Sequence, residues 1–399
     1  MLYCNTNIYS EHLDGRFMKT VLHCDMNNYF ASVETLDKPN LASVPMAVCG
    51  DPRMRHGVVL AKNEMAKLYG ITTGESSKVA RMKCPGLVVV LPNYNKYVEY
   101  SKRTREIFAR FSDEIHPFGI DEAWLVLPDG MSEKAGVLVA DELRSVIRRE
   151  LRLTASVGVS FNYVFSKLAS DLKKPDATTS LPQDRMRDTI WDTPATDMLF
   201  VGRVTARELS MLGIRTIGDI ARQKREFLVS IFGRRGDMLW RFANGDDSSF
   251  DPSTDRDSDI KSVTNSVTPP RDICSAHDAS AFLYMLSTSI ASRLTRYGMK
   301  TSCVSISVRR EDFSRYTRQR TLSHPTDDKC VIFRYAEGLL SENHVWNKGI
   351  RSIGVGADKL SGTHGEQLTF FPEESIVPPV AYELDEISRK YKGFKLEAR

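Results

Sequence analysis

The chain has 399 residues, 41% hydrophobic and 27% charged, with a formal net charge of +4. That length favours two to four domains with sizeable cores. No apolar run reaches the roughly 18 residues a membrane helix needs, and the amino terminus carries no signal-peptide core. Seven cysteines, at 4, 24, 49, 84, 274, 303 and 330, form no CxxC pair and no zinc spacing, so reduced thiols in a cytoplasmic protein are expected.

Residues 1–17 show no clear period and precede a second methionine, Met18. They read as a peripheral extension, with Met18 an alternative start. Residues 19–25 predict a strand, and "NNYFASVETL" begins a helix. "VPMAVCG" predicts a strand, and "HGVVLAKNEMAKLYGI" a strand running into a helix. "GLVVVLPN" is a β-rich run closed by Pro and Asn. "NKYVEYSKRTREIFARFS" is amphipathic at helical period. "IHPFGIDEAWLVLPD" predicts two short strands meeting near Gly119. A helix over 134–152, a strand over 153–160 and a helix over 162–175 follow. This order predicts a ferredoxin-like α+β sheet interrupted by an insert at about 38–92.

From 181 to 245 the pattern turns helical. Residues 202–241 hold nine Lys or Arg against four acids. "NGDDSSFDPSTDRDSD" is acidic and poor in apolar residues, which marks a linker at 246–260. Residues 261–360 resume an α/β pattern. There "TSCVSISVRR" alternates as a strand, with Ser305 and Ser307 opposite Val304, Ile306 and Val308. Residues 289–320 carry eight Lys or Arg against two acids.

The chemistry concentrates in carboxylates placed where a core should be. Asp25 ends an apolar run, and Asp121 and Glu122 stand between Ile120 and "AWLVL". An isolated buried carboxylate is costly unless it is paired or holds a metal. In a ferredoxin-like sheet the first strand and the central hairpin can be neighbours, so the three acids would converge. Such an oxygen-only set suits Mg²⁺. The plainer alternative makes Asp25 a helix cap and Asp121-Glu122 a turn. Under the metal reading, helix amides after Asp25 can take a triphosphate. Phe30, one turn in, could then press on a nucleotide sugar and leave no room for a 2′-hydroxyl. The alternative for Tyr29 and Phe30 is simple core packing.

Four motifs in order resemble those of the Y-family DNA polymerases, in the bacterial polymerase IV branch. They are "CDMNNYFASVE", "GIDEAWLV", "GVSFNYVFSKLASDLKKPDA", and "VGRVTARELSMLGIRTIGDIA" with "FGRRGDMLWRFANGDD" behind it. The resemblance spans about 19–371. It implies a palm at 18–37 and 93–180 with the ferredoxin-like fold. Fingers at 38–92, a helical thumb at 181–245 and an α/β little finger at 261–360 complete the body. A tail follows at 361–399.

By that resemblance Asp25, Asp121 and Glu122 are catalytic and hold two Mg²⁺ ions, with the Met26 carbonyl as a further ligand. Asn28, Tyr29 and Phe30 hold the triphosphate through backbone amides, with Lys67 and Lys174 on the phosphates. Phe30 is the steric gate against ribonucleotides. This chain departs from the family in places. Glu64 stands where a phosphate-contacting tyrosine is usual, and Gly119 replaces a serine. Asn27 replaces an aspartate, and Tyr163 replaces a lysine, although Lys167 and Lys174 remain.

Residues 200–220 resemble a helix-hairpin-helix, which grips phosphates without reading sequence. Gly202, Arg203 and Thr205 are its candidate DNA contacts, while Phe200 replaces a second hairpin glycine. A bundle with a solvated basic face is the alternative. In the little finger, Arg309, Arg310, Arg315, Arg318 and Arg320 are candidate phosphate contacts. "QLTFF" resembles the clamp-binding peptide of bacterial polymerases, with Gln367, Leu368, Phe370 and Phe371 as anchors.

The expected activity is low-fidelity, translesion DNA synthesis from dNTPs on primer-template DNA. A sliding clamp is the expected partner, and a monomer the simplest assembly. A non-catalytic DNA-binding scaffold and a nucleotidyl cyclase are the competing readings. The cyclase has no use for the basic segments, and the three retained acids speak against the scaffold.

Overall fold

The computed structural model describes residues 19–51, 55, 57–252 and 260–362. They fall into two compact units: the chain through Gly50 with Val58–Arg256, and Asp51–Gly57 with the chain from Asp257.

In the first unit, β1 (Val21–Met26) runs into α1 (Tyr29–Asp37). An insert follows: β2 (Met46–Cys49), β3 (Val59–Lys62), α2 (Glu64–Lys67), α3 (Ser77–Lys83) and β4 (Val88–Val90). Its own three-stranded sheet has the order β3-β2-β4. The chain returns as α4 (Tyr94–Phe108), β5 (Glu114–Pro117), β6 (Glu122–Val126), α5 (Glu133–Leu151), β7 (Ala155–Ser160), α6 (Tyr163–Leu172) and β8 (Thr178–Leu181). The main sheet has the order β5-β6-β1-β7-β8. Its first four strands are antiparallel neighbours in the ferredoxin-like arrangement, and β8 adds a parallel edge.

Period two sorts β1 between the sheet's two faces. Leu22, Cys24 and Met26 join the core under α4 and α5, with Tyr97, Phe108 and Leu143. Val21, His23 and Asp25 face the other way, toward α6. That helix lies directly on the sheet at Gly158, where a Cβ would fall 2.0 Å from the Ser166 carbonyl. Gly158 pairs with His23, so the close approach sets the polar end of α6 above the end of β1.

Five short helices follow: α7 (Met186–Thr189), α8 (Arg203–Met211), α9 (Ile217–Arg222), α10 (Arg225–Phe232) and α11 (Arg234–Ala243). They bury Leu209, Ile217, Leu228, Leu239 and Phe242. Phe200 takes a left-handed φ of 66°, the conformation that the glycine it replaces would adopt freely.

The predicted linker at 246–260 needs correction in its first half. Asp247 Oδ2 accepts from the Tyr163 N–H at 2.7 Å, at the first turn of α6. The Phe250 ring meets Trp124, Tyr163 and Phe200 edge-on, 5.5–6.0 Å between centroids. One acid at a helix start and one ring dock a segment whose composition reads as free chain.

The second unit holds β9 (Ser262–Val267), α12 (Ala276–Tyr297), β10 (Met299–Arg310), β11 (Arg315–Thr326), α13 (Lys329–Asn343) and β12 (Ile350–Gly362). Its sheet order is β11-β10-β12-β9. Both helices cover one face, burying Val304, Ile306, Val308, Ile353 and Val355. Among the described residues no helix covers the other face.

Candidate active site

β1 ends where β6 begins, and their register pairs Asp25 with Glu122. Asp121 precedes β6, and its carbonyl accepts from the Met26 N–H at 3.1 Å. The three acids predicted to meet therefore share one end of two adjacent strands.

Like charges opposite one another repel, and α6 supplies the counter-charge. Lys167 Nζ donates to Glu122 Oε2 at 2.6 Å and lies 3.3 Å from Asp25 Oδ2. Lys174 Nζ donates to the same Asp25 oxygen at 2.8 Å. Burial works against the Lys167 charge, but Glu122, Asp171 and Asp25 outweigh it and raise its pKa. Burial pushes Glu122 up, yet His23 and Lys167 beside it hold it at about 2.

Asp121 has no ion-pair partner among the described residues. Burial first, then the charges of Asp25 and Glu122, push it up to about 6. Among the described residues no three His, Cys, Asp or Glu side chains close around a single point. Lys167 stands between two of the acids instead. The donor set still fits a hard divalent cation: three carboxylates against two ammonium groups, oxygen ligands only, and one partly buried acid whose charge lacks a counterion among the described residues.

Asn27 takes a structural task where the family has an aspartate. It is buried, donates through Nδ2 to Ser156 Oγ at 2.9 Å, and accepts the Asp176 N–H at 2.8 Å. It thereby ties the segment after Lys174 to the end of β1.

Asn28 opens α1 in a left-handed conformation, φ 49°, with no side-chain cap on the helix and no acid in its first turn. The first amides of α1 are thus left for an anion beside the carboxylates. Tyr29 is buried and donates to the Tyr97 carbonyl at 2.6 Å, so its side chain is core. Phe30 is partly exposed, stacks on Tyr97 at 4.2 Å and 11°, and meets Tyr94 edge-on. The ring is braced from behind, as a rigid wall requires.

Glu64 reaches this place from α2. Its Oε1 accepts from Asn28 Nδ2 at 2.7 Å and from Lys67 Nζ at 2.8 Å. Partial burial pushes its pKa up, but those two hydrogen bonds outweigh it and leave the carboxyl below its ordinary range.

Sequence reasoning missed His23. It is fully buried, 2.8 Å from Ser170 Oγ through Nδ1 and 3.4 Å from Glu122 Oε2 through Nε2. Burial lowers its pKa. The signal was available: two residues before Asp25 on a strand is the same face.

The thumb residues separate. Gly202 and Arg203 are exposed at the start of α8, with open space beside Gly202. Thr205 is 4% exposed, and its Oγ1 accepts from Arg235 Nη1 at 3.2 Å. It lies one turn before buried Leu209, on the inward face, so it is corrected from DNA contact to core.

The little-finger arginines separate in the same way. Arg309 pairs with Arg315 across β10 and β11, on the open face with Ser305, Ser307 and Thr317. Arg318 and Arg320 pair with Ile306 and Val304, on the helix side. There they donate to Asn343 at 3.0 Å and Glu342 at 2.6 Å. Arg310 lies over the Tyr316 ring, and its Nε is buried. The hairpin register therefore leaves Arg309 and Arg315 on the open face and puts Arg318 and Arg320, both exposed, on the helix side, while Arg310 is partly buried. The clamp-peptide residues 367–371 lie outside the described residues.

Comparisons with known proteins agree with this architecture. The impB/mucB/samB family model matches residues 24–171, and the model of that family's C-terminal domain matches 260–370. A DNA polymerase IV of Acetivibrio thermocellus is 40% identical over 358 residues, 89% of this chain and 90% of that protein. DNA polymerase IV 1 of Bacillus subtilis is 32% identical over 384 residues, 95% and 92% of the two chains. A solved Y-family DNA polymerase chimera shares the fold at a TM-score of 0.75 and 22% identity, over 86% of this chain and 99% of that one. With both domains matched in order and relatives aligned nearly end to end, the chain belongs to the impB/mucB/samB family of Y-family DNA polymerases.

Proposed function

We infer that this protein extends a primer 3′-hydroxyl from dNTPs on a DNA template, including damaged template. The observation that carries the reading is the Asp25–Glu122 pair set beside Asp121 and next to the uncapped start of α1.

Asp25, Asp121, Glu122 and the Met26 carbonyl would hold two Mg²⁺ ions. Bound there, Mg²⁺ lowers the pKa of the attacking hydroxyl and neutralises the leaving pyrophosphate. The protein's own groups do the rest. Lys167 places a positive charge between Asp25 and Glu122. The amides of Asn28, Tyr29 and Phe30, with Lys67 and Lys174, bind the triphosphate. Phe30, braced on Tyr97, blocks a 2′-hydroxyl. Gly202 and Arg203 at the start of α8, and Arg309 and Arg315 on the open sheet, grip DNA phosphates. Gln367, Leu368, Phe370 and Phe371 are assigned to a sliding clamp on sequence grounds.

The test is primer extension with Mg²⁺ and either dNTPs or rNTPs. Wild type adds dNTPs by template, Asp121→Ala loses addition, and Phe30→Ala gains ribonucleotide use. A folded wild type that binds primer-template DNA but adds nothing sinks the polymerase assignment.

A further inference from the structure

The turn from β3 into α2 holds one carboxylate in a fixed place. Asn63 is buried and uses all four of its hydrogen-bonding positions. Its Oδ1 accepts from the Met46 and Ala66 N–H groups, and its Nδ2 donates to the Leu41 and Val44 carbonyls. Glu64, the next residue, is thereby aimed at α1. A single oxygen, Oε1, draws in Asn28 at 2.7 Å and Lys67 at 2.8 Å. One donor starts the helix whose first amides lie open, and the other is the nearby cation of α2. Lys67 is assigned above to the triphosphate, and Asn28 is assigned to it through its backbone amide, beside the side-chain Nδ2 that Glu64 holds. Carboxylate and phosphate oxygens are equivalent acceptors for such donors. In the free protein, then, a carboxylate oxygen holds the ammonium assigned to a phosphate.

We propose that Glu64 is a built-in competitor for the nucleotide: its carboxylate engages Asn28 and Lys67 in the free protein and must release Lys67 to a phosphate of the incoming dNTP. The proposal rests on the nucleotide site described above. It makes Glu64 a positioning residue that sets nucleotide affinity, and it gives the departure from the family's tyrosine a consequence. Lys67 and Glu64 are 37% and 49% exposed, which bounds the size of the effect. Exposed pairs of this kind change an equilibrium about two- to fivefold.

The experiment is single-nucleotide primer extension at saturating primer-template and Mg²⁺, with dNTP varied. It compares wild type, Glu64→Gln, Lys67→Met and the double variant. Glu64→Gln lowers the dNTP KM about two- to fivefold, and the drop shrinks in the Lys67→Met background because the shared partner is gone. An unchanged or higher KM in Glu64→Gln overturns the proposal. So does an equal drop in both backgrounds, which charge at a distance would explain. Should wild type extend nothing, the polymerase assignment fails instead. Calorimetric titration of wild type and Glu64→Gln with dATP and Mg²⁺ then decides on Glu64 by itself. Tighter binding by the variant supports the competitor, and equal or weaker binding removes it.

Discussion

The palm and the little finger are both four- or five-stranded sheets, yet they use their faces in opposite ways. The palm sheet is covered on both sides, by α4 and α5 on one and α6 on the other. Its chemistry sits at one end, in a few partly buried charges. Among the described residues the little-finger sheet is covered by α12 and α13 alone. Its other face is built from Ser262, Thr264, Ser266, Gly354, Gly356, Ser305, Ser307 and Thr317, with the Arg309–Arg315 pair beside them. Under the proposed function the palm's groups are few and close together, so single changes there are severe; the phosphate contacts of the open face are spread out, so each change is small.

The severest break is Asp121→Asn. It removes the acid that lacks a counterion, and extension falls by about a thousandfold or more. The same change stabilises the metal-free protein. Asp121 is raised from 3.8 to about 6 by burial and its acidic neighbours. Its ionised form therefore costs stability above pH 6, and that cost is relieved as pH falls from 6 toward 3.8. The ceiling is about 3 kcal/mol at neutral pH. Thermal melts with chelator show the Asn variant melting higher than wild type at pH 7.5, with the gap narrowing at pH 4.5. A lower melting temperature at pH 7.5 would make Asp121 structural.

Next in size is Phe30→Ala. The stacked ring meets an added hydroxyl with a clash of about 1–3 kcal/mol, or roughly five- to 150-fold in discrimination. The ratio of kcat/KM for a dNTP and the matching rNTP reads it directly. A ratio that stays at the wild-type value moves the gate to another residue.

How much of this was legible follows from the physics of each signal. The order of strand and helix segments along the chain gave the ferredoxin-like sheet, although β1 and β7 are buried on both faces and show no polar alternation. The meeting of Asp25, Asp121 and Glu122 followed from strand neighbourhood alone. The motif showed that Lys167 was retained. That it stands between two acids depends on the contact at Gly158, which period does not reveal. Phe250 and Asp247 sat in an acidic stretch that reads as linker, and a single ring docks it. Arg318 and Arg320 looked like their neighbours. Only the hairpin register, set by the turn at 311–314, sends them to the helix side.

A smaller effect tests the flatness of the open face. A Cβ at Gly354 would fall 2.5 Å from Ser307 Oγ and 2.9 Å from Ser266 Cβ. Gly354→Ala therefore costs about 1–3 kcal/mol of stability, seen as a lower denaturation midpoint. A midpoint equal to wild type would mean that the two strands can spread without penalty and that flatness is not enforced.

The smallest effects draw the comparison most sharply, because they set two pairs of arginines on one hairpin against each other. Arg309 and Arg315 face each other on the open side, and neither has a carboxylate partner among the described residues. Two such cations side by side repel until an anion lies between them. Arg318 and Arg320 already have Asn343 and Glu342. The slope of log K against log salt counts phosphates neutralised, at about 0.9 per contact on duplex DNA. Arg309→Ala and Arg315→Ala each reduce that slope by about one. Arg318→Ala and Arg320→Ala leave it in place and change stability little. Equal slope changes from all four would erase the distinction between the faces, and the hairpin would then act as a cloud of charge rather than a surface.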